Sequence, residues 1–298
     1  MSGKSQTKLF AGLEEIVRVD EPLAGHTWLR IGGPATYFVC PRNIDELAEV
    51  VRRCRENEVP MFVMGGGANL LIDDAGVRGA VIHLGAGTFQ ETALVDGGLR
   101  AGAGADMGKL VLRCVRDGLS GLECLTGVPG SVGGCVKMNA GGAFGDIGNC
   151  VETVEVMTEA GEVFSRHRAE LAFAYRSTNI AAKFILGAEF RLSDDDPHRI
   201  LRQVKQIWIY KKNTQPLSQR NAGCIFKNPR GLSAGALIDR AGLKGRRVGG
   251  AYVSHKHANF ILADEGATAS NVLKLINVIR EEVYKKSEVY LELEIEVW

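Results

Sequence analysis

The sequence predicts a mixed chain of helices and strands, folded as two or three lobes with sites lined by backbone. Three observations lead there. At 298 residues the chain is long for a single hydrophobic core. Helical spacing and strand-like alternation both run along it, separated by polar and glycine breaks. Its 37 glycines cluster instead of repeating, which excludes collagen-like or linker sequence and marks places where bare backbone is needed.

The elements follow in order. Residues 44–57 place Ile44, Leu47, Val50, Val51 and Cys54 at helical spacing. Residues 59–64 read as a short buried strand running into a glycine loop, Gly65-Gly66-Gly67-Ala68-Asn69-Leu70-Leu71. Further strands are expected at 81–84 and at 99–105, the latter ending in a glycine turn. A helix over 109–118 is closed by Gly118, a common stop. Residues 126–142 (TGVPGSVGGCVKMNAGG) hold few large side chains and are the most unusual stretch. Residues 151–158 and 184–192 alternate as strands do. The polar run at 193–197 (SDDDP) is placed as a domain boundary. Helical patterns cover 198–212, 235–242 and 268–286. The terminal VYLELEIEVW alternates strictly and is expected to be one strand, with Tyr290, Glu292, Glu294 and Glu296 on one face.

Composition narrows the function. A hydrophobic fraction of 45% and a charged fraction of 24% are ordinary for a globular protein. Net charge is +1 with no basic stripe, so nucleic acid is not an expected partner. No apolar run reaches the roughly 20 residues of a membrane span, and the first residues lack a signal-peptide core. Cys40, Cys54, Cys114, Cys124, Cys135, Cys150 and Cys224 form no CxxC pair and fit neither a zinc site nor a disulfide framework. Reduced thiols in a cytoplasmic protein are the simplest reading.

The two glycine loops carry the first chemical hint. Without side chains, backbone N–H groups approach a phosphate closely, so the pair points to a large anionic ligand such as a dinucleotide. Tight turns between strands are the plainer alternative. A Rossmann site is excluded by its own pattern: Leu70 and Met107 stand where a third glycine belongs after Gly65-x-Gly67 and Gly102-x-Gly104. Gly-Lys-Ser/Thr, needed for a Walker loop, is absent.

Four polar features stand out. Arg176, in Tyr175-Arg176-Ser177, has the planar fork that holds a carboxylate by two hydrogen bonds, although on the residues alone a surface ion pair is simpler. The aperiodic segment 221–229 (NAGCIFKNP) fits a site lining, against Cys224 as a small buried hydrophobe. Glu294 offers a carboxylate for proton chemistry, against a solvated strand face shared with Glu292 and Glu296. His255-x-His257 lacks a third ligand, so structural hydrogen bonding is favoured and no metal is expected.

In their shared order, several segments resemble the UDP-N-acetylenolpyruvoylglucosamine reductase family. They are 27–35 (TWLRIGGPA), 65–71 (GGGANLL), 118–123 (GLSGLE), 127–134 (GVPGSVGG), 138–142 (MNAGG), 175–177 (YRS), 215–216 (QP), 222–229 (AGCIFKNP), 241–245 (AGLKG), 257–260 (HANF) and 291–294 (LELE). Each is weak alone; together they cover nearly the whole chain from about Thr27.

The resemblance implies an α+β fold: a two-lobed FAD-binding domain of the vanillyl-alcohol-oxidase type and a C-terminal α+β substrate domain. The expected limits are an N-terminal segment 1–26, lobes at about 27–85 and 86–195, and a UDP-sugar domain at 196–298. The short length matches the shorter of the family's subtypes. The implied activity is NADPH-dependent, FAD-mediated reduction of UDP-N-acetylglucosamine enolpyruvate to UDP-N-acetylmuramate in cell-wall synthesis. FAD is expected to be non-covalent and NADPH a co-substrate, with no obligate protein partner and no membrane insertion.

Carried over residue by residue, Arg176 matches the arginine that polarises the enolpyruvyl carboxylate, and Glu294 the active-site glutamate of the last strand. Cys224 falls where most members have the serine that protonates C2; a thiol also donates a proton. Gly65, Gly66, Gly67, Ala68, Asn69 and Leu70 match cofactor-binding positions. So do Gly130, Ser131, Gly133 and Gly134, and Asn139, Ala140 and Gly141. Tyr175, Lys227, Asn228, Gln215, His257 and Asn259 match positions near the UDP-sugar. Two rival readings are another FAD oxidoreductase of the same fold and a non-catalytic flavin- or nucleotide-sugar-binding protein.

Overall fold

Capping residues set where the helices begin. The computed structural model describes residues 9–298, and the first eight residues of the expected N-terminal segment lie outside the described residues. Six α-helices are found among those described: α1 Ile44–Glu56, α2 Met107–Asp117, α3 Val132–Lys137, α4 Pro197–Thr214, α5 Ala234–Arg240 and α6 Ala269–Ser287. Asn43, Asp106, Ser131, Ser233 and Thr268 each accept an N–H of the first turn, a contact whose loss costs about 1 kcal/mol. α2 stops where Gly118 turns left-handed at φ 70°, its N–H closing on the last carbonyls. Proline opens α4, where its missing N–H costs nothing.

Packing divides the chain into two units. The first gathers the chain up to Glu21, Ala35–Gly66 and Arg78–Ile209; the second gathers Pro22–Pro34, Gly67–Val77 and Tyr210–Trp298.

The first unit holds two sheets. One has four strands in the order Val17–Pro22, Pro34–Val39, Val77–His83, Met61–Met64. The last two run parallel, with Met61 opposite Ala80, joined by a crossover as parallel strands require. The other is antiparallel throughout: Val163–His167, Val151–Met157, Phe184–Arg191, Gly98–Gly102, Thr92–Val95. Leu110, Val111 and Cys114 of α2 and Val132 and Val136 of α3 are buried in one core with Leu99, Ala101, Val154, Val156 and Phe184 from this sheet.

The second unit is built on α5, α6 and a small antiparallel sheet of Arg247–Val248, Ala251–Val253 and Ile261–Ala263. Its core joins Leu237, Ile238, Leu275 and Ile279 to Leu29, Ile31, Leu71, Phe226 and Leu291.

Four local expectations change. The strand expected at 59–64 begins only at Met61 and is mostly half-buried, because Val59 donates its N–H to Cys54 and finishes the turn after α1. The strand expected at 81–84 extends over Val77–His83. Phe184–Arg191 is buried almost continuously instead of alternating: Phe184, Ile185, Leu186, Ala188 and Phe190 all lie in the core, so this central strand is covered on both of its faces. The terminal segment is not one strand: only Glu296–Val297 is assigned. The segment first pairs with residues 225–227, through Lys227 N–H to Glu292 O (2.9 Å) and Glu294 N–H to Ile225 O (2.8 Å). It then turns to Leu70–Leu71, to which Glu296–Val297 runs parallel.

Candidate active site

In the first unit, Gly65 and Gly66 leave the end of a strand and abut the turn before α3. A Cβ added to Gly66 would sit 2.7 Å from Gly130 Cα, and one on Gly65 2.6 Å from Ser131 Oγ. Gly133 lies so close to Ala103 that a Cβ would stand 2.8 Å from its Cβ, while its N–H donates to Ala103 O (2.8 Å). Glycine is required at Gly66 because it meets the backbone of Gly130, and at Gly65 and Gly133 because the Ser131 hydroxyl and the Ala103 methyl leave no room for a Cβ. The result is a cradle walled by main chain.

Arg176 sits at the tip of a hairpin formed by Phe173–Ala174 and Ser177–Thr178. Its left-handed φ of 55° closes the two-residue turn, an uncommon state for a side chain other than Asn or Asp. The guanidinium donates to Gly141 O (3.0 Å) and lies 5.0 Å from the ring centre of Tyr175. Asn139 is buried, and its carboxamide is used inward: Nδ2 donates to Ala174 O (2.9 Å) and Oδ1 accepts from Gly148 N–H (3.0 Å). Ala140 and Gly141 lead into a tight hairpin of Gly141–Gly142 and Gly145–Asp146.

In the second unit, Asn69 ties the glycine loop to the chain terminus. Its Nδ2 donates to Glu294 O (3.1 Å) and its carbonyl accepts from Glu296 N–H (3.0 Å). Gly67, at φ 64°, is where the chain passes His26 O so closely that only glycine fits. Residues 224–227 form a central thread in this unit. Cys224 bridges to Phe260 on one side, and Phe226 bridges to Leu293 on the other. This pairing places Cys224 and Glu294, half-buried both, on adjoining extended segments.

Asn259 is buried as well and clamps Phe226 from both ends, donating to its carbonyl (2.8 Å) and accepting from its N–H (3.0 Å). Asn228 accepts the N–H of Ala234 at the start of α5 (3.0 Å). Lys227 lies 3.9 Å from Glu292, a solvated pair worth little. Gln215 follows the end of α4, its N–H on Lys211 O. His257 accepts from Asn259 N–H at Nδ1 (3.3 Å) and meets the edge of Phe260. Burial, and then the Lys244 charge, hold its imidazole below the ordinary value of 6.5.

Three residues escaped the sequence reading. Arg280 donates to Leu291 O (2.9 Å) with its guanidinium against the rings of Phe226 and Tyr290, so it braces both extended segments. Asp74 takes two N–H groups at the start of α6 from 195 residues away, and Thr126 is buried among the glycines. Nothing local to Arg280 or Asp74 signals such partners.

Comparison with known proteins agrees with this layout. Residues 35–165 match an FAD binding domain, and residues 215–298 match the UDP-N-acetylenolpyruvoylglucosamine reductase, C-terminal domain. The UDP-N-acetylenolpyruvoylglucosamine reductase of Lachnoclostridium phytofermentans is 41% identical over 286 residues, covering 94% of this chain and 92% of its own. The chain belongs to the UDP-N-acetylenolpyruvoylglucosamine reductase family. The crystal structure of the Thermus caldophilus reductase of this family superimposes with a TM-score of 0.82 at 39% identity, over 95% of this chain and 98% of that one. A Physcomitrella patens BBE-like protein shares the fold alone, at 14% identity and a TM-score of 0.58 over 96% and 89%. The α+β fold of the vanillyl-alcohol-oxidase type is thereby established.

FAD, the cofactor of this reductase family, fits the residues present. The turns at Gly65, Gly66 and Gly130 present bare main chain, as a group that must lie against the backbone requires. Thr126, within the same glycine-rich stretch, has the one buried side-chain polar atom among the described residues with no hydrogen-bond partner. A buried hydroxyl left unpaired costs about 1–3 kcal/mol, which a polar cofactor offsets.

Proposed function

We infer that this chain catalyses the NADPH-dependent, FAD-mediated reduction of UDP-N-acetylglucosamine enolpyruvate to UDP-N-acetylmuramate, a step of peptidoglycan synthesis. One observation carries this reading: a single chain joins an FAD binding domain to the C-terminal domain of this reductase family. Bound FAD, once reduced by NADPH, would supply the hydride for C3 of the enolpyruvyl ether.

The chain's own residues bind, orient and move the proton. Gly65, Gly66, Gly67, Ala68, Asn69 and Leu70, with Gly130, Ser131, Gly133, Gly134, Ala140 and Gly141, hold the cofactor largely through main chain, as close approach demands. Arg176 takes the enolpyruvyl carboxylate on its guanidinium fork. When C3 gains hydride, negative charge spreads from C2 into that carboxylate, and a preorganised cation stabilises it. Glu294 in its protonated form adds a donor. Cys224 completes the addition: its S–H bond breaks as the C2–H bond forms. Tyr175, Gln215, Lys227, Asn228 and His257 support the UDP-sugar, and Asn259 shapes the segment that carries Cys224.

The protein acts in the cytoplasm on this reading, where its thiols stay reduced. Among the described residues no helix is long and apolar enough to cross a membrane. Incubation with NADPH and the enolpyruvyl substrate should consume NADPH and form UDP-N-acetylmuramate in equal amounts. NADPH consumption without that product would overturn the assignment.

A further inference from the structure

Asn139 has a side chain committed to the hairpin that presents Arg176. It is 3% exposed, and its backbone is left-handed at φ 44°, a conformation asparagine tolerates better than most residues. Both ends of the carboxamide are engaged at good distances: Nδ2 on Ala174 O (2.9 Å) and Oδ1 from Gly148 N–H (3.0 Å). Ala174 is the residue at which the hairpin enters its Tyr175-Arg176 turn. Two residues after Asn139, Gly141 O receives the Arg176 guanidinium (3.0 Å). A three-residue stretch thus grips Arg176 twice, by the backbone before it and by its own side chain.

The corner is filled. A Cβ on Gly148 would stand 2.8 Å from Asn139 Oδ1 and 2.5 Å from Phe173 Cγ, so the Asn139 amide and the hairpin's first strand both close on bare backbone at Gly148. The second strand has its own tie: Lys137 Nζ donates to Ile180 O (2.7 Å), and Thr178 Oγ1 to Lys137 O (3.4 Å).

We propose that Asn139 is a positioning residue for Arg176, its carboxamide fixing the 173–178 hairpin so that the guanidinium fork meets the enolpyruvyl carboxylate. This rests on the reading of Arg176 as the carboxylate's partner. It distinguishes the side chain of Asn139 from the main chain around it, which lines the cofactor. Both a donor and an acceptor are needed at this corner, and only the amide supplies them at that spacing.

The test is Asn139→Asp in the FAD-loaded protein, beside Arg176→Lys. Aspartate keeps the acceptor for Gly148 and sets an oxygen against Ala174 O. The expected result has three parts. The dissociation constant for FAD stays within about threefold of wild type. Hydrogen exchange quickens in peptides covering 173–178. Reoxidation by the enolpyruvyl substrate slows about 100-fold, the order that a misplacement of about 1 Å produces, while reduction by NADPH is retained. Loss of FAD affinity as the main effect would make Asn139 a cofactor contact and overturn the proposal. So would wild-type reoxidation by Asn139→Asp while Arg176→Lys is slowed. If Arg176→Lys reoxidises normally, it is the Arg176 reading that fails, and the proposal with it. Should Asn139→Asp not fold, Asn139→Gly removes the carboxamide while tolerating the backbone at φ 44°: slower reoxidation with FAD affinity retained supports the proposal, and wild-type reoxidation overturns it.

Discussion

Burial silences several of the cysteines: it pushes the Cys54 and Cys114 thiols up to about 12 and raises Cys40 and Cys150 as well. Cys224 sits on the thread between Phe260 and Leu293, half-buried, after a left-handed Gly223. A thiol, like a hydroxyl, carries a proton that it can give up. Cys224→Ser should therefore keep substantial turnover, whereas Cys224→Ala should lose about 10²–10⁴-fold, the usual worth of a positioned acid. Steady-state kinetics in the two variants decide it; the reverse order, with alanine tolerated and serine harmful, would mark Cys224 as packing only. His257 makes a separate prediction about pH. Its folded value lies below the ordinary 6.5, so on acidification the unfolded chain takes the proton first. The stability it contributes is full above about 6.5 and is lost as pH falls from there to the depressed value. His257→Gln should flatten the fall in melting temperature over that window; an unchanged slope would remove His257 as its source.

At the scale of elements, the cradle depends on close approach of main chain, most tightly where Gly66 meets Gly130. Gly66→Ala drives a methyl to 2.7 Å from Gly130 Cα, and overpacking of that kind costs about 1–3 kcal/mol. FAD affinity should fall by about 10-fold or more while the isolated fold survives; unaltered affinity, measured by flavin fluorescence on titration, would show that this loop does not carry the cofactor. Such loops were legible in the sequence because glycine clusters are rare and local. α1, α2 and α6 were legible for a related reason: spacing, cap and stop all lie within a few residues. The terminal strand was not. Its alternation is real, with Leu291 and Ile295 buried and Glu292 and Glu296 exposed. The change of partner from residues 225–227 to Leu70–Leu71 belongs to tertiary structure, which no local pattern records. The same holds for Asn139 and Asn259: composition flags an asparagine near a site, but the direction of its amide depends on Gly148, nine residues on, and on Ala174 and Phe226, 35 and 33 residues away.

For the whole molecule, one chain joins an FAD binding domain, of a fold shared with distant proteins, to a C-terminal domain found in this reductase family. The fold alone leaves oxidation of an alcohol by oxygen as the rival chemistry, since fold does not fix function. The rivals part over what restores the oxidised flavin. The most direct measurement is the visible spectrum of the purified, FAD-loaded protein under anaerobic conditions. NADPH should bleach the flavin band, and UDP-N-acetylglucosamine enolpyruvate should then restore it with formation of UDP-N-acetylmuramate. A band that stays bleached with that substrate present, and returns only when air is admitted, would contradict the assignment.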